Sequence, residues 1–265
     1  MTAADSAAPP LVFITGASSG IGQALAAAYL ADGWRLALVA RRADALQRWV
    51  QAQGDAGARC RVYAADVQDT AGLISAAALC LDELGLPQVV IANAGISVGM
   101  DSAVRDDLEV LRETLATNVV GLAATFHPFL AGMRARRSGT LVGIASVAAI
   151  RGLPGHGAYC ASKAGVVAYC ESLRGECRGQ EIRVVTLLPG FIATPLTAGN
   201  PYPMPFLMPV EDFARQAKAS ISAADSYRVI PWQMAAVARL LRLLPNAWFD
   251  RLMAGRGRKP RRPAQ

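Results

Sequence analysis

The sequence predicts an α/β protein, a single-domain Rossmann-type doubly wound parallel sheet with helices on both faces. Three observations carry that expectation. Short β-branched apolar runs alternate with alanine-rich helical patterns almost from the start. Several of the runs are apolar on both faces, as strands covered from two sides must be. The 265 residues show no linker or internal repeat that would divide them. A β-α-β-α order then requires right-handed crossovers between parallel strands. With 53% hydrophobic and 18% charged residues, the chain is too apolar for a disordered protein.

Residues 1–10, "MTAADSAAPP", read as a flexible N-terminus without the basic start and apolar run of a signal peptide. The first strand is "LVFIT" at 11–15, followed by "TGASSGIG" at 15–22 and a helix over 20–32. In that turn Gly16 permits the tight bend, Gly20 lets backbone amides approach a phosphate, and Gly22 allows close helix packing. Ser18, Ser19 and Ile21 complete the segment, and the helix N-terminus favours a pyrophosphate. Its place between a strand and a helix separates it from an ordinary glycine cluster.

The second strand, 35–40, ends "LVARR". An acid here would accept hydrogen bonds from the adenosine ribose and favour NAD(H). Ala40 stands there instead, followed by Arg41 and Arg42. Guanidinium groups suit a 2′-phosphate, so NADP(H) is expected over NAD(H). The alternative is that both arginines only solvate a helix start.

Further strands are expected at 60–65, 88–93, 139–146 and 182–188, and helices at 43–53, 70–84, 104–137 and 157–179. The last helix carries Tyr159 and Lys163, four residues apart and so on one face. An ammonium about 4–5 Å from a phenol, at an effective dielectric near 20, favours phenolate by roughly 4 kcal/mol. That is about three pKa units, which would bring the tyrosine near 7.

The uncharged run from Val184 to Val210 is long enough to span a bilayer but holds six prolines. It reads as a strand and a loop. Residues 191–222 are expected to form a substrate lid, stiffened by proline and lined by Tyr202, Met204, Phe206, Leu207 and Met208. Such a lid suits a hydrophobic substrate, unless it packs on its own core. Residues 229–253 read as a strand and one or two amphipathic helices that pack on the core, form a subunit contact or meet a membrane.

The net charge is +7, and six of those charges lie in residues 251–265, leaving +1 for the body that ends at 250. A nucleic-acid binder spreads positive charge over its folded surface, so no nucleic acid is expected. The tail reads as a solvated, disordered end or as a weak peripheral contact with an anionic membrane. The five cysteines show no CxxC pair, which argues against a metal site or disulfide framework. The setting is expected to be cytoplasmic, at the inner face of a membrane if the tail binds one.

Taken in order, "TGASSGIG", "ADV" with Asp66, "NAG" at 93–95, "NVVG" with Asn118, Ser146, "YCASK" and "PGFIAT" with Thr194 resemble the short-chain dehydrogenase/reductase family, in its compact single-domain branch. The resemblance covers roughly residues 10 to 195. Larger epimerase-like relatives usually show TGxxGxxG and a longer C-terminal domain, unlike this chain.

The resemblance implies that Asp66 binds the adenine amino group, with Val67 packing nearby. Asn93, Ala94 and Gly95 would lie beneath the cofactor, Pro189, Gly190 and Ile192 would also bind it, and Thr194 would contact the nicotinamide carboxamide. Ser146, Tyr159 and Lys163 would be catalytic, with Asn118 anchoring a water-mediated proton relay. Tyr159 would protonate the carbonyl oxygen while Ser146 donates a hydrogen bond to it, and Lys163 would hold the nicotinamide ribose. The implied protein is a homo-oligomeric (dimer or tetramer) NADP(H)-dependent oxidoreductase acting on a small carbonyl compound or secondary alcohol. A non-catalytic NADP-binding sensor or scaffold is the alternative. His127 and His156 read as structural, and Cys160 receives no chemistry.

Overall fold

A computed structural model describes residues 8–255 and 257–262. The strands are β1 (Leu11–Thr15), β2 (Arg35–Ala40), β3 (Cys60–Ala64), β4 (Val89–Ala92), β5 (Gly139–Ile144), β6 (Ile182–Pro189) and β7 (Tyr227–Ile230). They form one sheet in the order β3-β2-β1-β4-β5-β6-β7, with every pair parallel. The order reverses between β1 and β4. Ligands bind at the carboxyl ends of strands at such a switch point. The glycine turn after β1 and the "NAG" turn after β4 both end there.

Strand alternation sorts β1 between two cores. Leu11 and Phe13 join the face covered by α3 (Thr70–Leu84), α5 (Gly121–Arg136) and α6 (Gly157–Glu176). Val12 and Ile14 join the face covered by α1 (Gly20–Ala31), α2 (Ala43–Gln51) and α7 (Val210–Ser222). Phe13 and Phe129 stack with centroids 4.8 Å apart in the first core. Burying each large apolar side chain of this kind stabilises the fold by roughly 1.5–3 kcal/mol.

The segment expected as one helix over 104–137 is α4 (Asp107–Leu115), a π turn (Ala116–Val120) and α5. The wider turn adds a residue where Asn118 faces inward, and single π turns often mark functional positions. The continuous rod Asp107–Arg136 is long and apolar enough to cross a membrane. Here it lies along the sheet, with Phe126, Phe129 and Met133 fully buried.

Two expectations need correction. The lid does not extend to 222. Residues 210–222 form α7, whose Phe213, Ala214, Ala217 and Ile221 are buried in the second core. Pro209 before Glu211 and Asp212, with Phe213, Ala217 and Ile221 spaced by four, is the helical signal that marks it. The tail is not a solvated end within its described residues. Arg261 donates from Nε and Nη2 to Asp107 at 2.6 and 3.1 Å, and Arg262 pairs with Glu113. Gly99 N donates to the Pro260 carbonyl at 3.1 Å. Two of the charges expected to meet an anionic membrane, those of Arg261 and Arg262, are therefore spent on the protein's own acidic groups.

The chain past β7 continues through α8 (Trp232–Leu243) and α9 (Asn246–Met253). Arg151 fastens their junction to the loop after β5. Its guanidinium donates to the carbonyls of Leu241 and Leu244 and to Asn246, and lies 3.8 Å over the Phe249 ring. A cation at the carbonyl end of a helix also opposes the helix dipole.

Candidate active site

At the dinucleotide end, Gly16 adopts φ +68°, and a Cβ there would lie 2.7 Å from Ala94 Cα. A larger residue would push apart the two turns that meet at the switch point. Asn93 closes the same junction, its Nδ2 donating to the carbonyls of Thr15 and Gly16 at 3.1 Å each. Asn93 therefore shapes the turn from beneath. Ser18 and Ser19 are partly exposed, and the Ser19 side chain makes no capping bond to α1. The first amides of α1, including those of Gly20, Ile21 and Gly22, are thus oriented to donate to an anion. No acidic side chain occupies that first helical turn. This donor set fits a pyrophosphate.

Thr194 closes over the cradle from the other side. A Cβ on Gly20 would sit 3.3 Å from the Thr194 Cβ. The Thr194 backbone is held by Thr197, whose Oγ donates to the Ile192 carbonyl at 2.6 Å. Gly190 N bonds the Ile230 carbonyl at 2.8 Å, which ties the chain after Pro189 to β7. Past β2, Arg41 and Arg42 are exposed, and Arg41 lies 3.6 Å from Asp66. Asp66 Oδ1 accepts from Gln68 N, while buried Val67 packs beside Gly121. The expected dinucleotide-binding residues thus lie along the carboxyl ends of the strands.

Beside the cavity, Ser146 follows β5 and its Oγ accepts from Ala148 N at 3.2 Å. The same hydroxyl stands near enough to the Tyr159 phenol to favour its charged form. Lys163 is buried one turn on. Its Nζ donates to the Ile144 carbonyl at 2.7 Å and sits 5.8 Å from the Tyr159 ring centroid. A Cβ on Gly95 would lie 3.2 Å from Asn118 Oδ1 and 3.4 Å from Lys163 Nζ, so those two groups converge there. Asn118 Oδ1 accepts from Ile96 N, and its Nδ2 donates to the Ile96 carbonyl and Ser162 Oγ. Ser162 in turn donates to the Tyr159 carbonyl at 2.8 Å. Asn118 therefore fixes the helical turn that presents the tyrosine.

The expected phenol pKa near 7 is corrected by burial. Tyr159 opens on the cavity along part of its surface, yet removal from bulk water raises its pKa to about 12 against the lowering by Ser146. Burial also depresses Lys163 to about 8. Loss of hydration disfavours both charged forms, and it is the largest influence on each group here.

Ser146 and Tyr159 border a cavity of about 700 Å³ whose other walls include Phe191, Tyr202, Met234 and Leu241. His156, expected to be merely structural, is on this wall. Pro154 O can only accept, so His156 Nδ1 carries the proton and Nε2 accepts from Tyr202 O–H at 3.1 Å. Burial holds the imidazole below its usual pKa. Lys259 also lines the cavity, as do Met253 and Gly257 from the chain's C-terminal end. Sequence periodicity carries no signal for the return of the tail to this wall.

This sheet, with an anion cradle at its switch point and a buried Ser-Tyr-Lys group beside a cavity, defines a Rossmann-type oxidoreductase. The family model described as short chain dehydrogenase matches residues 10–202. An uncharacterized oxidoreductase of Myxococcus xanthus is 39% identical over 237 residues, covering 89% of this chain and 93% of that protein. Dehydrogenase/reductase SDR family member 7B of Bos taurus is 31% identical, covering 95% of this chain and 82% of the relative. The fold is shared with an alcohol dehydrogenase from the archaeon Thermococcus sibiricus, complexed with 5-hydroxy-NADP, at a TM-score of 0.75 and 24% identity. That likeness covers 83% of this chain and 95% of the archaeal one. The chain belongs to the short chain dehydrogenase family.

Proposed function

We propose that the protein is an NADP(H)-dependent carbonyl reductase, or the corresponding alcohol dehydrogenase, acting on a substrate with a largely apolar body. The observation that carries this reading is the side-chain group at one end of the cavity. A phenol, a hydroxyl beside it on the same cavity and a buried ammonium stand near the cradle suited to a dinucleotide.

The nicotinamide, when bound, supplies the hydride in reduction or accepts it in oxidation. Tyr159 gives its proton to the substrate oxygen in reduction and takes it back in oxidation. With its pKa raised to about 12, the phenol is in the donor form at neutral pH. Ser146 donates to the same oxygen and stabilises the charge that develops on it. Lys163 supports the phenolate when charged. A water-mediated relay past Asn118 would return a proton to this group. Its support is the convergence of Asn118 and Lys163 at Gly95.

The preference for NADP(H) is supported by Arg41 and Arg42 after Ala40, where a ribose-binding acid would stand. Both guanidiniums are exposed at that edge. An apolar substrate is supported by Val147, Phe191, Met234 and Leu241 on the cavity wall. A homo-oligomer is supported by Trp232, Leu243 and Trp248, which α8 and α9 leave largely exposed. The test is a panel of ketones, from small diketones to long-chain and cyclic ones, followed by NADPH and NADH absorbance. The reading predicts turnover of an apolar ketone with NADPH preferred. Tight NADPH binding without turnover of any panel member would favour a sensor or scaffold.

A further inference from the structure

The C-terminal segment lines the cavity through Met253, Gly257 and Lys259, and the residues after it are fixed to the protein's own acids. Arg261 forms a two-point contact with Asp107, which also accepts from Asp101 N at 2.6 Å. Arg262 holds Glu113 with both Nη groups. Gly99 pairs with Arg261 as a short parallel bridge, and a Cβ on Gly99 would run into the Lys259 carbonyl oxygen. The strap can therefore lie flat only because residue 99 lacks a side chain.

This anchoring turns the Lys259 side chain inward. Its Nζ donates to Ser97 Oγ at 3.1 Å and to the Leu196 carbonyl at 3.2 Å. Ser97, Leu196 and Lys259 line the same cavity as Ser146 and Tyr159. Arg261 and Arg262 have carboxylates, whereas no carboxylate among the described residues lies within 4.0 Å of Lys259. Arg151, on the same wall, has its guanidinium committed to helix-end carbonyls. An ammonium has three donors, and two are taken by neutral acceptors. Burial also works against its charge and lowers its pKa. A half-buried cation whose bonds go only to neutral acceptors is stabilised by an anion brought into the cavity.

We propose that Lys259 is a specificity-determining residue, and that the cavity selects ketones or secondary alcohols bearing a carboxylate on an apolar body. The proposal rests on the carbonyl-reductase reading and narrows its substrate class. The strap supplies the charge, and the apolar wall receives the chain between carboxylate and carbonyl.

The test compares a medium-chain ketone ending in a carboxylate with the same ketone ending in a carboxamide. Wild type, Lys259→Met and Lys259→Arg are assayed with NADPH for kcat/KM on both, and calorimetry measures binding of both. The expected wild-type preference for the acid is about tenfold or more, the size of one hydrogen-bonded charge. Lys259→Met should cut that ratio about tenfold, and Lys259→Arg should keep most of it. Equal use of acid and amide by wild type, or an unchanged ratio in Lys259→Met, overturns the proposal while leaving the reductase reading intact. Acid-selective binding that depends on Lys259, without turnover of either ketone, supports charge selection and overturns the reductase reading instead. Neither turnover nor selective binding overturns both.

Discussion

Lys163 sits where the fold disfavours its own charge. Burial lowers its pKa to about 8, against 10.5 for an exposed lysine. Below pH 8 both folded and unfolded chains hold the proton, and the folded one bears the desolvation cost. Between about 8 and 10.5 the unfolded chain keeps a proton that the folded chain has released, so this group makes stability rise with pH. Lys163→Met should therefore be more stable than wild type at pH 7, by about 1–2 kcal/mol after the lost bond to Ile144 O, although inactive. Denaturant unfolding at pH 7 and pH 9.5 checks this: the gap should narrow at the higher pH, and a constant gap would contradict it. Arg41 is the second residue with a separable effect. Arg41→Ala should weaken NADPH binding by about 1.5–3 kcal/mol and leave NADH nearly untouched, as titration of both cofactors would show. Its exposed pair with Asp66 contributes under about 1 kcal/mol, so the melting temperature should barely move. Equal losses for both cofactors would remove the 2′-phosphate assignment.

Among the elements, the strap over 257–262 has the most testable role. A chain ending at Gly255 removes Lys259 and both anchoring arginines but leaves α9 and both cores whole. KM for a cavity-filling ketone should rise several-fold, while far-UV circular dichroism stays unchanged. Unaltered KM would mean the strap does not bound the site. The strands, the glycine turn and the Tyr159–Lys163 helix are legible in sequence because their causes are local. Pleat alternation, a turn that needs positive φ at Gly16 and a spacing of four on one helix face all act within a few residues. The strap is not legible, because Arg261 meets Asp107 across 154 positions and six basic residues look alike in a row. The lid boundary fails for a different reason. Proline density at 195–209 draws attention from the spacing of four that makes α7 a core helix. The phenol pKa fails because a Coulomb estimate from spacing omits the burial of both partners.

On the scale of the whole molecule, the sheet brings together three separated stretches of chain. The β1 turn supplies the anion cradle, α6 the tyrosine and lysine, and the C-terminal strap a wall of the cavity. In the proposed reaction Tyr159 moves the proton of an NADPH-linked carbonyl reduction. The most direct test is the single-residue change Tyr159→Phe, assayed on a ketone that wild type reduces, with NADPH affinity measured in parallel. Phenylalanine keeps the ring and removes only the proton donor. The expected result is a loss of kcat of about a thousandfold, within the range of a lost general acid, with NADPH affinity unchanged within about threefold. Near-normal kcat in the variant would contradict it.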